Sequence, residues 1–339
     1  MVRFGLGVPT ATEGMMYPVP YATPAEAVEL AVRAEDLGFE SVWANDHLST
    51  QEYVRAEFDE PPRFLDPLGY LAFVAARTTV LRLATCILVL PFRHPVVAAK
   101  QLATLDQLSS GRLVVGVGIG AYREEFEALR PGVKLHRGDY AEEALTSLDK
   151  LLTERRASFH GQYITFDDVE SFPKPVQSPL PILSGGNSAG SKDRAARLTH
   201  GWMPACLTPD EVAAGLATIR ETAAKAGRTL PDNFEVAVQV GVSMGKTREQ
   251  AEERFRNSQV HEHLKSLSKS TLKNQQGGDL TERNLVGTSA EIIEQIEAYR
   301  EAGVNTLPGL LFACDTVSET FDAMQRFSDE VIAKYADTT

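Results

Sequence analysis

Short apolar runs rich in β-branched residues alternate along this chain with longer segments of helical period, and this alternation points to a parallel sheet with crossover helices. Residues 2–8 read as the first strand. Pro24 opens a helix at the position where its missing N–H costs little, and Gly38 closes it. Residues 39–44 follow as strand two, Pro67 starts the next helix, and residues 81–90 make strand three. A helix over residues 95–108 ends in Ser109-Ser110-Gly111, and residues 112–117 form strand four. After a helix over about 137–153, SFHGQYITF suggests a hairpin around Gly161, ahead of the Pro-rich KPVQSPLP; together they read as an insertion. Strands five and six are expected at 181–184 and 202–207, with helices at 192–199 and 211–225. Residues 234–244 and 304–312 supply strands seven and eight.

Eight strand-then-helix units within 339 residues predict an α/β fold, a (β/α)8 TIM barrel with insertions. A closed barrel covers its own sheet, so a single domain over residues 1–339 is expected. Pocket specificity would come from the insertions at about 48–66, 155–180 and 257–283. The last of these, with SLSKSTLKNQQGGD at its centre, lacks strand periodicity and reads either as a mobile lid or as a surface loop without a role.

Composition narrows the partners. Lys+Arg number 34 against Asp+Glu 46, a net charge of −12, and no long basic block occurs, so a nucleic-acid partner is not expected. Nowhere do about eighteen apolar residues run together, and MVRFGLGVPT has no signal-peptide core, so neither a membrane span nor export is expected. Cys86, Cys206 and Cys314 are far apart and odd in number, which fits a reduced, cytoplasmic setting. No H-E-x-x-H or clustered Cys/His spacing supports a metal, and His261 and His263 read as surface histidines. Without a G-x-S-x-G elbow or a P-loop, the commonest hydrolase and nucleotide-phosphatase signatures are missing.

In a parallel barrel, ligands meet the chain where strands end and the following loops begin. Strand two runs into WANDHL, bringing Asn45, Asp46 and His47 to that rim. His47 can move protons near neutral pH, with Asp46 fixing its orientation or holding a polar ligand edge; a capping aspartate beside a loop histidine is the plainer reading. In ATCILVLPFRHP, polar Thr85 and small Cys86 interrupt an apolar run where a flat aromatic ligand can press, though a buried Cys86 is ordinary. Arg93 and His94 stand at the next helix start, either as anion partners or as surface groups. Strand four delivers GVGIGAYREEF. Its Gly116, Gly118 and Gly120 fall short of a dinucleotide fingerprint and mark close approach or tight turning. Strand five ends in ILSGGNSAGSKDRAARL, where Ser184, Gly185, Gly186, Asn187 and Ser188 lead into a helix. This junction can aim donors at a phosphate, with Lys192 and Arg194 nearby.

At these same segments the chain resembles the luciferase-like monooxygenase superfamily. The resemblance spans nearly the whole chain and is carried by AEDLGFESVWANDHL, by LRLATCILVLPFRHPVVAAKQLATLDQLSSGRLVVGVGIG with REEF shortly after, and by PILSGGNS followed by AAR and GWMP. It implies a barrel that binds FMN or the deazaflavin F420 and acts on a small organic substrate by hydride transfer or oxygen insertion. Asp46 and His47 match residues beside the isoalloxazine edge, where the histidine acts as acid, base or stabiliser. Cys86-Ile87 matches a non-prolyl cis peptide behind the central ring, Gly185, Gly186 and Asn187 match the phosphate-binding turn, and Gly118 and Gly120 match a loop lining the cofactor. Where many relatives read Ala-Asp-Gly-Trp this chain has Thr199, His200, Gly201 and Trp202, so no role of that aspartate carries over. A homodimer paired through the second and third barrel helices is also implied. Two other readings stand beside the enzyme: a non-catalytic barrel that binds flavin, and a phosphosugar-type barrel resting only on the Gly-Gly turn.

Overall fold

The computed structural model describes residues 2–267, 272 and 279–336. The first half runs β1 (Arg3–Val8), α1 (Pro24–Asp36), β2 (Ser41–Ala44), α2 (Glu52–Glu57), α3 (Pro67–Ala75), β3 (Arg82–Val89), α4 (Pro95–Leu108), β4 (Leu113–Gly118), α5 (Arg123–Leu129) and α6 (Arg137–Thr153). A hairpin of β5 (Ala157–His160) and β6 (Thr165–Val169) follows, then β7 (Ile182–Gly185), α7 (Ala189–Leu198), β8 (Gly201–Met203) and α8 (Pro209–Lys225). The remainder is β9 (Glu235–Val236), β10 (Gly241–Met244), α9 (Arg248–Arg256), α10 (Gln259–Ser266), β11 (Leu285–Gly287), α11 (Ser289–Glu301), β12 (Thr306–Phe312) and α12 (Val317–Phe327).

The main sheet has the order β11-β10-β12-β1-β2-β3-β4-β7-β8-β9. Ala237, just beyond β9, pairs in parallel with Thr306 at the start of β12, and the Val238 N–H donates to the Thr306 carbonyl at 3.1 Å. That contact joins the two ends of the run from β12 through β9 and closes the expected (β/α)8 barrel. The helix starts follow the sequence chemistry. Thr23 and Thr208 form capping boxes with Glu26 and Glu211, each ahead of a proline in the first turn, and Asp66 caps α3 at Gly69.

Two expectations need correction. The strand expected over 234–244 divides, because its first part pairs with β8 while β10 shifts to the far end of β12 and to β11. The stretch 257–283 begins as a helix: Ser258 caps α10 by accepting from the His261 N–H, and Val260, His263 and Leu264 are buried beneath it. Most of SLSKSTLKNQQGGD, where a lid or loop was expected, lies outside the described residues.

Large and small side chains alternate inside the barrel. Trp43, Leu183 and Met203 fill it, together with Ala84, Val114 and Ala237. A Cβ on Gly5 would stand 2.2 Å from Trp43 Nε1, and one on Gly116 2.5 Å from Met203 Cε, so glycine is what lets these bulky groups lie across the interior. The amino-terminal end is sealed by Glu235, which pairs with Arg82 at 3.1 Å and Arg3 at 3.2 Å and accepts from Thr306 Oγ1 at 2.7 Å. Burial alone would raise the Glu235 carboxyl, but Arg82 and Arg3 outweigh it and hold it below the usual glutamate range. A depressed carboxylate stabilises the fold above its unfolded pKa and loses that contribution as acid protonates it. Glu235→Ala is therefore expected to cost about 3 kcal/mol at pH 7. Urea unfolding should show this deficit shrinking as pH falls below about 4.

Candidate functional site

A cleft opens at the carboxyl ends of the strands. Cys86, Ile87 and Met203 are among the residues that line it, along with Met15 and Met16 from the loop after β1. Buried Glu13 holds that loop, accepting from the backbone N–H of Tyr21 at 3.0 Å and of Arg63 at 2.6 Å. The Cys86–Ile87 peptide is cis, and the β3–β4 register shifts between Thr85 and Leu88. Ile87 thereby reaches the cleft. A Cβ on Gly118 would stand 2.0 Å from Ile87 Cδ1, and one on Gly185 2.7 Å from Ile87 Cγ2. Both glycines thus make room for the isoleucine. Gly120 lines the cleft at a φ of 75°, a conformation that favours glycine. Thr85 and Ser184 are buried below, donating to the carbonyls of Gly116 (2.8 Å) and Ser191 (2.9 Å). Burial pushes the Cys86 thiol up to about 12, so it stays protonated at neutral pH.

Asp46 and His47 both line the cleft, but Asp46 does not orient the histidine. Its carboxylate is taken by Arg93, which reaches both oxygens, one at 3.0 Å, and by the Val89 N–H at 2.9 Å. Arg93 is therefore a half-buried structural partner, while His94 caps α4 by accepting from the Val96 N–H at 3.3 Å. The orienting carboxylate is Glu125, from the REEF segment in α5. It lies 3.2 Å from His47 Nδ1, is itself buried, and accepts from the Leu48 N–H at 2.7 Å. An ionised carboxylate accepts only, so this pairing calls for a proton on Nδ1, with the Gln51 side-chain amide 3.2 Å from the same nitrogen and Nε2 without a partner among the described residues. Phe126 beneath Gly120, with Arg137 4.8 Å over the Phe126 ring and donating to the Gly120 carbonyl at 2.8 Å, holds this start of α5 in place.

The Gly-Gly turn is braced from below. The Gly186 N–H donates to the Met203 carbonyl, and its own carbonyl accepts from Trp202 Nε1 at 3.0 Å. Asn187 exchanges two hydrogen bonds of 2.9 Å with the Ala205 backbone, so its amide builds the turn and does not enter the cleft. Ser188 caps α7. One turn further on, Arg194 is buried yet makes no hydrogen bond or ion pair among the described residues. Its guanidinium lies 3.4 Å from where a Cβ of Gly190 would stand and 3.9 Å from that of Gly138, between the first turns of α7 and α6. Burial lowers its pKa, and the carboxylates of Glu142 and Asp193, whose fields reach it, pair with Arg197 instead. A buried cation without an anion, set beside a helix amino terminus, fits a phosphate. At the position of the relatives' aspartate, His200 accepts from the Ile182 N–H at 3.3 Å.

His263 is not a surface histidine. It comes down from α10, is 4 % exposed, lines the cleft, and meets Tyr53 Oη of α2 through Nδ1 at 3.1 Å. Burial, with the charge of His47 adding to it, pushes its pKa down to about 3, so it stays neutral. Among the described residues, no group of three or more His, Cys, Asp or Glu side chains gathers as metal ligands would, and no helix is long and apolar enough to cross a membrane.

The chain matches the luciferase-like monooxygenase family across residues 2–306 and belongs to that family. It is 32 % identical over 236 residues to an F420-dependent glucose-6-phosphate dehydrogenase of Nakamurella multipartita, covering 67 % of this chain and 66 % of that protein. It is 31 % identical over 261 residues to an FMNH2-dependent dimethylsulfone monooxygenase of Pseudomonas putida, covering 68 % and 69 %. A monooxygenase structure from Streptomyces bottropensis shares the fold with a TM-score of 0.78 at 23 % identity, covering 98 % of this chain and 100 % of that one. Gly118→Ala is expected to drive Ile87 into the cleft. Titration of F420 and FMN fluorescence should show at least tenfold weaker binding, with unfolding changed far less.

Proposed function

We propose that the chain is an oxidoreductase that holds F420 or FMN across its barrel mouth and acts on a small organic substrate. The observation that carries this reading is His47 paired through Nδ1 with buried Glu125, which favours a proton there, so that Nε2 faces the cleft as a base. The residues present suit the cofactor. Cys86, Ile87 and Met203 offer an apolar floor for a flat ring, Gly120 and Gly186 let it come close, and Ser188, the start of α7 and Arg194 suit the phosphate. When bound, such a group supplies hydride transfer, or oxygen chemistry in the case of reduced FMN.

The protein's own part is proton handling and positioning. His47 Nε2 takes a proton from a substrate hydroxyl, or returns one, and Glu125 stabilises the imidazolium that forms. Asp46, locked to Arg93, keeps the loop after β2 and the start of α4 together, so it positions His47 through the backbone. Met15, Met16, Ile119 and Leu267 shield the reacting region from water. On the outer surface, α3 and α4 expose Phe73, Val97 and Leu108, and this apolar face supports a homodimer through these two helices.

Anaerobic mixing with each reduced cofactor, then trials with and without oxygen, separates F420 from FMN; binding of neither overturns the proposal. Glu125→Gln and His47→Asn are expected to lower kcat by about 100-fold or more while cofactor affinity changes less than threefold. A purely flavin-binding barrel would show turnover in neither parent nor variant. Phe73→Glu should convert a dimer into a monomer in sedimentation velocity without loss of bound cofactor.

A further inference from the structure

Among the described residues, those lining the cleft include two acids and two imidazoles but no lysine or arginine. Both acids are already engaged, Asp46 with Arg93 and Glu125 with His47. A substrate bearing a carboxylate or phosphate would face these carboxylates with no cation among the described lining residues beside it, which disfavours an unpaired buried charge. Most of the remaining lining is apolar: Met15, Ile87, Val89, Ile119, Met203 and Leu267. What this surface suits is a neutral, largely apolar molecule, and one of its buried polar groups is His263. Its Nδ1 is engaged with Tyr53, it is more than nine-tenths buried, and its Nε2 has no partner among the described residues. His47 and His263 thus meet at one cleft from opposite origins, the first from the end of β2 and the second from the covering helix α10.

We propose that His263 is a substrate-binding residue, donating a hydrogen bond from Nε2 to the single carbonyl or hydroxyl oxygen of a neutral, mostly apolar substrate. This rests on the reading of the cleft as the substrate site. With the Tyr53 hydroxyl donating to Nδ1, the imidazole carries its proton on Nε2, the tautomer that can donate into the cleft. A histidine that stays uncharged suits this task, because an imidazolium buried in an apolar wall would need a counter-ion, whereas a neutral N–H needs only one acceptor. His263 would fix the oxygen, while the base function stays with His47. A donor aimed at one oxygen also discriminates strongly, since a molecule without that oxygen leaves a buried N–H unpaired.

The test uses three probes of one shape: cyclohexanone, methylenecyclohexane, which replaces the oxygen by a methylene, and cyclohexanecarboxylate. Binding is followed by ligand-observed NMR titration on the full chain, both free of cofactor and loaded with F420 or FMN. The parent should bind the ketone about tenfold more tightly than the alkene and the carboxylate not at all. His263→Leu should lose that tenfold preference while its alkene binding stays within twofold. His263→Gln, which keeps an N–H donor, should restore most of it, and Tyr53→Phe should lose about threefold. Equal losses for ketone and alkene in His263→Leu would mean a structural role and overturn the proposal, as would carboxylate binding as tight as the ketone's. Cofactor affinity is measured separately on the same samples. Failure of both cofactors to bind would defeat the oxidoreductase reading, whereas the ketone preference of the cofactor-free chain decides the role of His263.

Discussion

Everything at the mouth of this barrel depends on how its interior is filled. Eight parallel strands enclose a space that must be packed to the density of an organic crystal, or the sheet cannot hold its curvature. Trp43 lies fully buried across that space because Gly5 offers no side chain against it, and Met203 lies across it because Gly116 does the same. The plug has an upper surface, and that surface is the floor of the cleft. Ile87 rises from it at the β3 bulge, into room left by Gly118 and Gly185. Core packing and cleft shape are therefore one problem, and a methyl group added at any of these glycines changes both.

The electrostatics above the floor follow from a competition for carboxylates. Asp46 and Glu125 are both buried and close to the same stretch of chain, and neither could remain ionised there unpaired. Arg93 takes Asp46, with Asp66 as a second partner at 3.3 Å, and Tyr140 Oη fixes the Arg93 carbonyl at 3.1 Å. Glu125 is left to the Leu48 N–H and to His47. The histidine thus faces one carboxylate, which favours a proton on Nδ1. Without Arg93, two acids would crowd the site and the imidazole would have no single orientation.

The barrel was legible because its signals are local and repeated: apolar runs of strand length, prolines in first turns and glycines at helix ends recur unit after unit. The site was legible only in part. WANDHL identified His47 and Asp46, but their adjacency argues against mutual contact, since neighbours in extended chain point to opposite sides. The true partner lies 78 positions away, in a REEF segment that reads as a charged helix turn. Gly118 stood out as a glycine, yet the reason for it is Ile87, on a different strand. His263 sits in HEHLKS, whose polarity suggests solvent; its burial depends on Tyr53 and on α10 folding back over the mouth, which no periodicity records. In each case the missing information is a contact between distant segments.

The two ends of the proposed binding region differ in charge, and this difference bears on how a barrel of net charge −12 could take up an anionic cofactor. Long-range attraction is absent, because the overall field repels and is screened beyond roughly 8 Å at physiological ionic strength. Capture must rely on short-range groups: the capped start of α7 and the unpaired Arg194 within it. At the other end the described residues of the cleft walls carry no cation, so a second anion gains nothing from them. In the proposed reading, a phosphate held beside Arg194 would set one orientation for the ligand, with its flat portion toward Ile87 and the space near His47 and His263 left to an uncharged second molecule. Orientation is thus determined by where the positive charge is, and equally by where it has been left out.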